Sequence, residues 1–264
     1  MVLDSRIQRR CPSCPGLRCP RLDTFDVAPE TVTLSQGAEA QPLLVMTFDD
    51  GRDQFYAFNY AHSHHVNCTA YIITDRIGQE GYLTAAQLAE MEAGGWDIAN
   101  HTMSHPSLTL LTQAQQEAQF TGAAAALEAI GITRAVRHVA YPYGGYNATT
   151  LDAMAAAEMI TGRVTAQDDQ FDYPPASWYE IGSRVIEATT TLDTVKGWID
   201  DAITNGQVLC LYTHRIIDGA GGENWTPEQW EGLVDYIAES DIVPVTVTQL
   251  YALLTGDVDV PVPD

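Results

Sequence analysis

The sequence predicts an α/β protein whose parallel sheet closes into a barrel. Short apolar runs alternate with helix-like segments from Leu43 to Leu254, the pattern of a parallel sheet covered by helices. About seven or eight such units suit a barrel better than an open sheet. The chemistry-bearing residues Asp49, Asp50, His101, Tyr143 and His214 each fall just after an apolar run. In a β/α barrel the C-terminal strand ends form one mouth, where active sites lie.

The elements follow in order. Leu43 to Phe48 is short and wholly apolar but for Thr47, as a buried parallel strand should be. Residues 53–64 suit a helix, Cys68 to Thr74 a second strand, and a helix begins at Thr84, an N-cap residue, and stops at Gly94-Gly95. Trp96 to Asn100 is a third strand, Thr112 to Ile130 a long Ala-rich helix, and Val136 to Tyr141 a fourth strand. A helix capped by Asn147 runs to Ala157, with strands at Met159 to Val164 and Tyr179 to Ile186. Leu192 to Asn205 is helical and ends at Gly206; Val208 to Tyr212 is a strand. Thr226-Pro227 opens a helix with Pro at its first position. Ile242 to Val247 is the last strand and Gln249 to Leu254 the last helix.

Three regions are expected: a Cys-containing arm and connector over 1–41, the barrel over 42–255, and an extended acidic tail over 256–264. The chain carries −22 formal charge, with Lys196 its one lysine. That charge opposes nucleic acid or an anionic membrane as the main partner, and matches proteins of salt-loving organisms or a generally acidic protein from a high-GC genome. Residues 1–22 hold five Arg and one Asp, a net of +4, leaving −26 on the rest. A basic arm on an acidic body is expected to dock on another protein or subunit. Its Cys11, Cys14 and Cys19 suit zinc, a disulfide or free thiols equally. Cys68 and Cys210 lie in apolar runs and read as core. No run approaches the roughly 20 residues that span a bilayer. The N-terminus lacks the apolar core of a secretory signal.

Four segments carry chemistry. In Thr47-Phe48-Asp49-Asp50-Gly51, two adjacent carboxylates follow a buried strand. Their mutual repulsion is relieved if one binds a cation and the other acts as a base. In Asn100-His101-Thr102-Met103-Ser104-His105, two imidazoles four residues apart on a tight turn can share a metal. With an Asp they form a two-His, one-carboxylate site open to water and substrate, suited to zinc, iron, cobalt or nickel. Tyr141-Pro142-Tyr143-Gly144-Gly145 brings backbone N–H groups near a ligand, as an oxyanion hole requires. His214, at a strand end, is placed for a general acid.

Together, TFDDG, HTMSH, YPYG and the late strand-end His resemble the polysaccharide deacetylase family, also called the NodB-homology domain or carbohydrate esterase family 4. The resemblance implies a distorted (β/α)7 barrel, an acetylated polysaccharide substrate and a divalent metal, above all Zn2+, with Co2+, Ni2+ or Fe2+ as alternatives. It implies Asp49 as base, Asp50, His101 and His105 as metal ligands, the Tyr143 N–H at the oxyanion, and His214 as acid. It also implies a surface or extracellular glycan.

The chain departs from that pattern at Ala140, where many members have an Arg that orients the base. Arg184 is the expected substitute, and Arg137, at the start of its strand, a lesser one. Tyr212 stands where Leu is usual. The Trp of a further family motif has only Trp178 and Trp198 as candidates. Trp225, beside the loop 218–224, is a candidate for stacking on sugar, and Trp230 lies near it. His62, His64 and His65 read as solvated surface and His138 as core. A second class of function is a glycan-recognition module in a cell-surface or virion assembly, with little or no turnover.

Overall fold

A computed structural model describes residues 41–165, 170–171, 174–219, 221–222 and 224–256. The basic arm, its three cysteines and the residues after Gly256 lie outside the described residues, as do the docking and metal readings of that arm.

In chain order the elements are β1 (Leu43–Phe48), α1 (Phe55–Ser63), β2 (Thr69–Ile72), α2 (Ala85–Ala93), β3 (Asp97–Asn100) and α3 (Gln113–Ala129). Next come β4 (Ala135–Ala140), α4 (Ala148–Ala156), β5 (Thr161–Arg163), β6 (Gln170–Phe171), β7 (Arg184–Val185) and α5 (Leu192–Asn205). The chain continues with β8 (Val208–Thr213), β9 (Arg215–Ile216), β10 (Asn224–Trp225), α6 (Pro227–Glu239), β11 (Val243–Pro244) and α7 (Val247–Thr255). The helix starts are set locally. Thr84, Thr112, Asn147, Thr226 and Thr246 each accept from the N–H three residues on, and the side chain there bonds back. This reciprocal pairing satisfies two otherwise orphaned donors.

The strands form a distorted barrel. The parallel run is β5-β4-β3-β2-β1-β8, with β1 and β8 paired over six positions from Leu43↔Val208 to Phe48↔Thr213. The ring closes through the segment predicted as a strand over 179–186, which is broken. Ile181 pairs with Arg163 of β5, whereas Arg184 and Val185 pair with Leu211 and Tyr212 of β8. Between them the Ser183 hydroxyl donates to the Val164 carbonyl, so the chain changes neighbours at that residue. The predicted last strand is also shorter. Pro244 lacks an N–H, and the bonds come from its neighbours, Val243 donating to the Pro42 carbonyl just before β1 and Val245 to that of Leu44. The antiparallel β6 pairs with β8 alongside β7, at Leu209 and Val208.

Side chains alternate as a strand's period of two requires. Leu44, Met46 and Phe48 of β1, with Leu209 and Leu211 of β8, join the large core under the helices. Leu43 and Val45, with Val208 and Cys210, face the other way, packing with Ile181, Val245 and Leu250 inside the ring. Continuing that inward parity past the strand ends gives Asp49 on β1 and His214 on β8. On β3 the inward Ala99 leads to His101. The alternation that fills the barrel therefore also aims the polar residues into its mouth. Cys68 and Cys210 are buried free thiols, as expected. Among the described residues no helix is long and apolar enough to cross a membrane.

His138 of β4 is buried core, with Nδ1 3.0 Å from the Thr161 hydroxyl. Burial holds its pKa down at about 4, opposed by the charge of Asp97. The unfolded chain takes up that proton near pH 6.5, and the fold only near 4. Stability contributed above pH 6.5 is thus lost as pH falls toward 4, by about 3 kcal/mol from this residue. Urea titrations between pH 7 and 4.5 should show a shallower loss of stability in His138→Gln than in the wild type.

Candidate active site

The mouth of the ring is a cleft of about 430 Å³ lined by Asp49, Asp50, His101, His105, Tyr143 and His214, among others. Asp49 extends the β1–β8 ladder by one step, its N–H donating to the Thr213 carbonyl at 2.9 Å. The chain then turns through left-handed backbone at Asp50 (φ 73°) and Gly51 (φ 74°). Two neighbouring carboxylates are thereby given separate surroundings.

His101 follows β3 directly, whereas His105 is brought back beside it by a turn rather than a helix. Thr102 and His105 are left-handed, at φ 65° and 59°. This is uncommon outside glycine and persists only when the surroundings enforce it. Here they do. The Asn100 amide oxygen accepts from the Thr102 N–H at 2.8 Å, and the Thr102 hydroxyl from the His105 N–H at 3.0 Å. Gln119 of α3 accepts from the N–H groups of Met103 and Ser104, each at 3.1 Å.

The result is a set of three ligand-type atoms, from Asp50, His101 and His105, all within 4.8 Å of one another. Asp50 Oδ1 lies 3.6 Å from His101 Nε2 and 3.7 Å from His105 Nε2. Those separations exceed hydrogen-bond length. They approach the roughly 3.3 Å between two ligands on one tetrahedral ion with bonds of about 2.0–2.1 Å. His101 Nδ1 is 2.7 Å from the Ala140 carbonyl, an acceptor, so that nitrogen carries the proton and Nε2 offers its lone pair. Burial lowers the His101 pKa to about 4 against the pull of Asp49, and burial also lowers that of His105. Both rings are neutral at neutral pH, the form that ligates. The three side chains fit a divalent metal.

Asp49 is almost wholly buried and ion-paired with Arg163 of β5. Burial acts to raise its pKa, but the charge and hydrogen bond of Arg163 hold it down, and the carboxyl stays below the usual aspartate value. Its second oxygen, Oδ1, is buried with no hydrogen-bond partner among the described residues. Arg163 is fixed in turn by the Ser183 hydroxyl at 2.9 Å and by the Tyr212 and Tyr71 rings, 4.5 and 5.4 Å from its guanidinium carbon. Gln54, fully buried, donates from Nε2 to the carbonyls of both Asp49 and His214, the latter at 3.0 Å. One amide thus ties the loop of the candidate base to that of the candidate acid. Tyr143 sits on a left-handed turn (φ 58°) with its ring exposed and 4.6 Å from that of His105. The turn needs Gly144, where a Cβ would come within 1.9 Å of the Thr165 hydroxyl.

A family model described as polysaccharide deacetylase matches residues 36–161. That stretch is thus similar to the polysaccharide deacetylase family. The chitooligosaccharide deacetylase of Sinorhizobium fredii is 28% identical over 128 residues, 47% of this chain and 58% of that protein. The homologue from Bradyrhizobium is 29% identical over 115 residues, 42% of this chain and 51% of that one. The chain spans about half the length of such curated relatives. Among solved structures, the family 4 carbohydrate esterase from Streptomyces lividans superposes with a TM-score of 0.55 at 17% identity, covering 79% of this chain and 94% of that one. The peptidoglycan deacetylase PdaC from Bacillus subtilis gives 0.53 at 18%, covering 83% and 95%. At such identities these likenesses speak for the fold, a distorted (β/α) barrel.

The mouth gathers Asp49, Asp50, His101, His105, Tyr143 and His214. Arg184 is not the guanidinium beside Asp49; it lies over the Trp198 ring at 4.5 Å. Arg137 is exposed and paired with Glu158. The guanidinium beside Asp49 is instead that of Arg163, paired with Ala140 in register on the adjacent strand. Its sequence signal was an arginine inside the apolar run Met159 to Val164. Gln54 carried no such signal. Trp225 is fully buried, its Nε1 donating to the Thr190 carbonyl at 2.8 Å, and cannot stack on a sugar. Trp230 is likewise core, and Trp178 packs against Tyr251. His62 and His65 are exposed, and His64 is half-buried beside Asp235.

Removing one partner of a buried ion pair strands the other charge, at a cost of about 3–5 kcal/mol. Arg163→Met should lower the unfolding free energy by that amount, and Arg184→Met by far less. Asp49→Asn should recover part of the loss in the Arg163→Met background. Equal effects of the two single Arg variants in denaturant titrations would contradict the pairing.

Proposed function

We propose that this domain is a metal-dependent hydrolase that removes N-acetyl groups from a surface or extracellular polysaccharide. The observation that carries the reading is the grouping, around one cleft, of a metal-competent Asp-His-His set with a buried carboxylate held ionised by arginine and an imidazole from β8. Relatives named for deacetylating chitooligosaccharide and peptidoglycan support a polymeric N-acetylated sugar as substrate.

Asp50, His101 and His105 would hold the cation, with zinc the leading choice for two imidazoles and one carboxylate. When bound, such an ion lowers the pKa of water and polarises a carbonyl. The protein's groups do the rest. Asp49 Oδ1 takes the proton from the attacking water, while Arg163 holds the carboxylate in place and ionised. The attack on the acetamide carbon gives a tetrahedral oxyanion, to which the Tyr143 N–H donates. His214 donates a proton to the departing sugar amine, and the C–N bond breaks to release acetate. Gln54 keeps the Asp49 and His214 loops at a constant spacing through both proton transfers.

Acetate release from N-acetylated chito-oligosaccharides, assayed in high salt, tests this reading. Chelation should abolish release and added zinc restore it, and Asp49→Asn should lower kcat by about 10²–10⁴-fold, the usual worth of a general base. Release that survives both treatments, or its absence from folded, metal-loaded protein, would overturn the proposal.

A further inference from the structure

One wall of the cleft is cationic in a way the hydrolytic scheme does not use. Arg76 and Tyr82 both line it. The guanidinium carbon of Arg76 lies 5.9 Å from the centroid of the Tyr82 ring, and that of Arg52 lies 5.4 Å from the same centroid. The face of a tyrosine ring attracts a cation. Two cations gathered on one ring, however, repel each other unless an anion lies near both.

Neither arginine has an acidic partner among the described residues. Arg134, Arg137, Arg163 and Arg215 are each ion-paired with an Asp or Glu. Arg76 donates only to a neutral group, the Gln79 amide oxygen, at 3.1 Å, although Asp75 and Glu80 are close to it in sequence. The Nε of Arg52 is buried with no hydrogen-bond partner among the described residues. In a chain of net charge −22 acidic partners are plentiful, so two guanidiniums without one, both set on a ring that lines the cleft, stand out.

Their position is fixed relative to the metal-competent residues. The turn Thr74–Arg76 is bonded to the histidine loop through Thr74 N–H to the Thr102 carbonyl at 3.2 Å and Asp75 N–H to the Met103 carbonyl at 2.9 Å. At its other end the same segment is bonded to the Asp50 loop, Leu83 N–H donating to the Gly51 carbonyl at 2.9 Å, and Arg52 bridges Tyr82. The β2–α2 connection therefore spans the two ligand-bearing loops and carries Arg76 and Tyr82 with it, while Arg52 belongs to the β1–α1 loop that follows Asp50.

We propose that Arg76 and Arg52, set on Tyr82, form a subsite for a carboxylate or phosphate ester on the sugar next to the acetamido sugar, so that the substrate is an anionic N-acetylated polysaccharide. This deepens the deacetylase reading and rests on it for the sugar in the cleft. A planar guanidinium recognises either anion through paired N–H donors. The need for such a subsite follows from the protein's charge: an anionic polymer is repelled by the acidic body as a whole, and a local cationic pair offsets that at the one place where binding counts.

Titration calorimetry on the full chain tests the subsite without depending on turnover. The probes are three oligosaccharides of equal length. One is neutral chito-oligosaccharide, one alternates N-acetylglucosamine with glucuronic acid, and one carries phosphate esters. At low ionic strength the wild type should bind at least one anionic probe about tenfold more tightly than the neutral one, as expected for a charge-assisted pair of hydrogen bonds. Whichever anion gains more identifies the substituent. The preference should vanish in Arg76→Ala and Arg52→Ala, persist in part in Arg76→Lys, and remain whole in Lys196→Ala, an equal loss of charge placed on α5 against Tyr236. Equal affinity of the wild type for all three probes, or a preference unchanged in Arg76→Ala, would overturn the subsite. Acetate release from the same samples separates the two readings: an anion preference without hydrolysis counts against the hydrolase and leaves the subsite standing.

Discussion

The contact between Asp49 and Arg163 is the constraint around which the mouth of this barrel is arranged. A carboxylate taken almost wholly out of water is tenable only beside a cation. The Arg163 guanidinium meets that need and leaves Oδ1 facing no donor among the described residues. Its own burial is made tenable by the Ser183 hydroxyl and two tyrosine rings. Tyr212 thus has a physical role where the resemblance leads one to expect Leu: its ring faces the buried Arg163 guanidinium.

Much of this was legible in the sequence, and for identifiable reasons. Strand parity carried Asp49, His101 and His214 to one mouth because alternation is a local property that survives folding. The capping residues Thr84, Asn147 and Thr226 began their helices where they were read, since a cap involves only its own first turn. What escaped was tertiary. Arg163 and Arg184 are both arginines in strand-like runs, and only pairing across strands decides which one meets Asp49. Gln54 acts through two carbonyls 160 and five residues away in sequence, and an isolated glutamine after a turn announces nothing. Trp225 was misjudged because proximity to a loop says nothing about depth; its indole N–H is satisfied by Thr190 inside the core.

The histidine loop shows how the fold holds an unfavourable backbone where chemistry needs it. Left-handed residues gather at the mouth, namely Asp50, Thr102, His105 and Tyr143. Each costs conformational energy that a helical turn would avoid. In return the two imidazoles arrive from one short loop with their ring centroids 4.7 Å apart. Bonds from Asn100, Thr102 and Gln119 keep that geometry in place before any ligand arrives, so the ordering entropy is spent in folding rather than in binding.

The seam of the barrel gives the ion pair a second meaning. On the far side of β5 the ring is joined by the bridge from Arg163 to Ile181 before the chain crosses to β8. Asp49 directly follows β1, and 114 residues separate it from Arg163. Their contact is therefore a strut across the ring, landing on the strand beside its weakest joint. A carboxylate at the mouth of the cleft thus also braces the closure of the fold. A lineage that removed the charge of Asp49 by a single change would leave Arg163 buried without its partner and loosen the barrel at the same stroke, so this architecture resists the silent loss of that carboxylate.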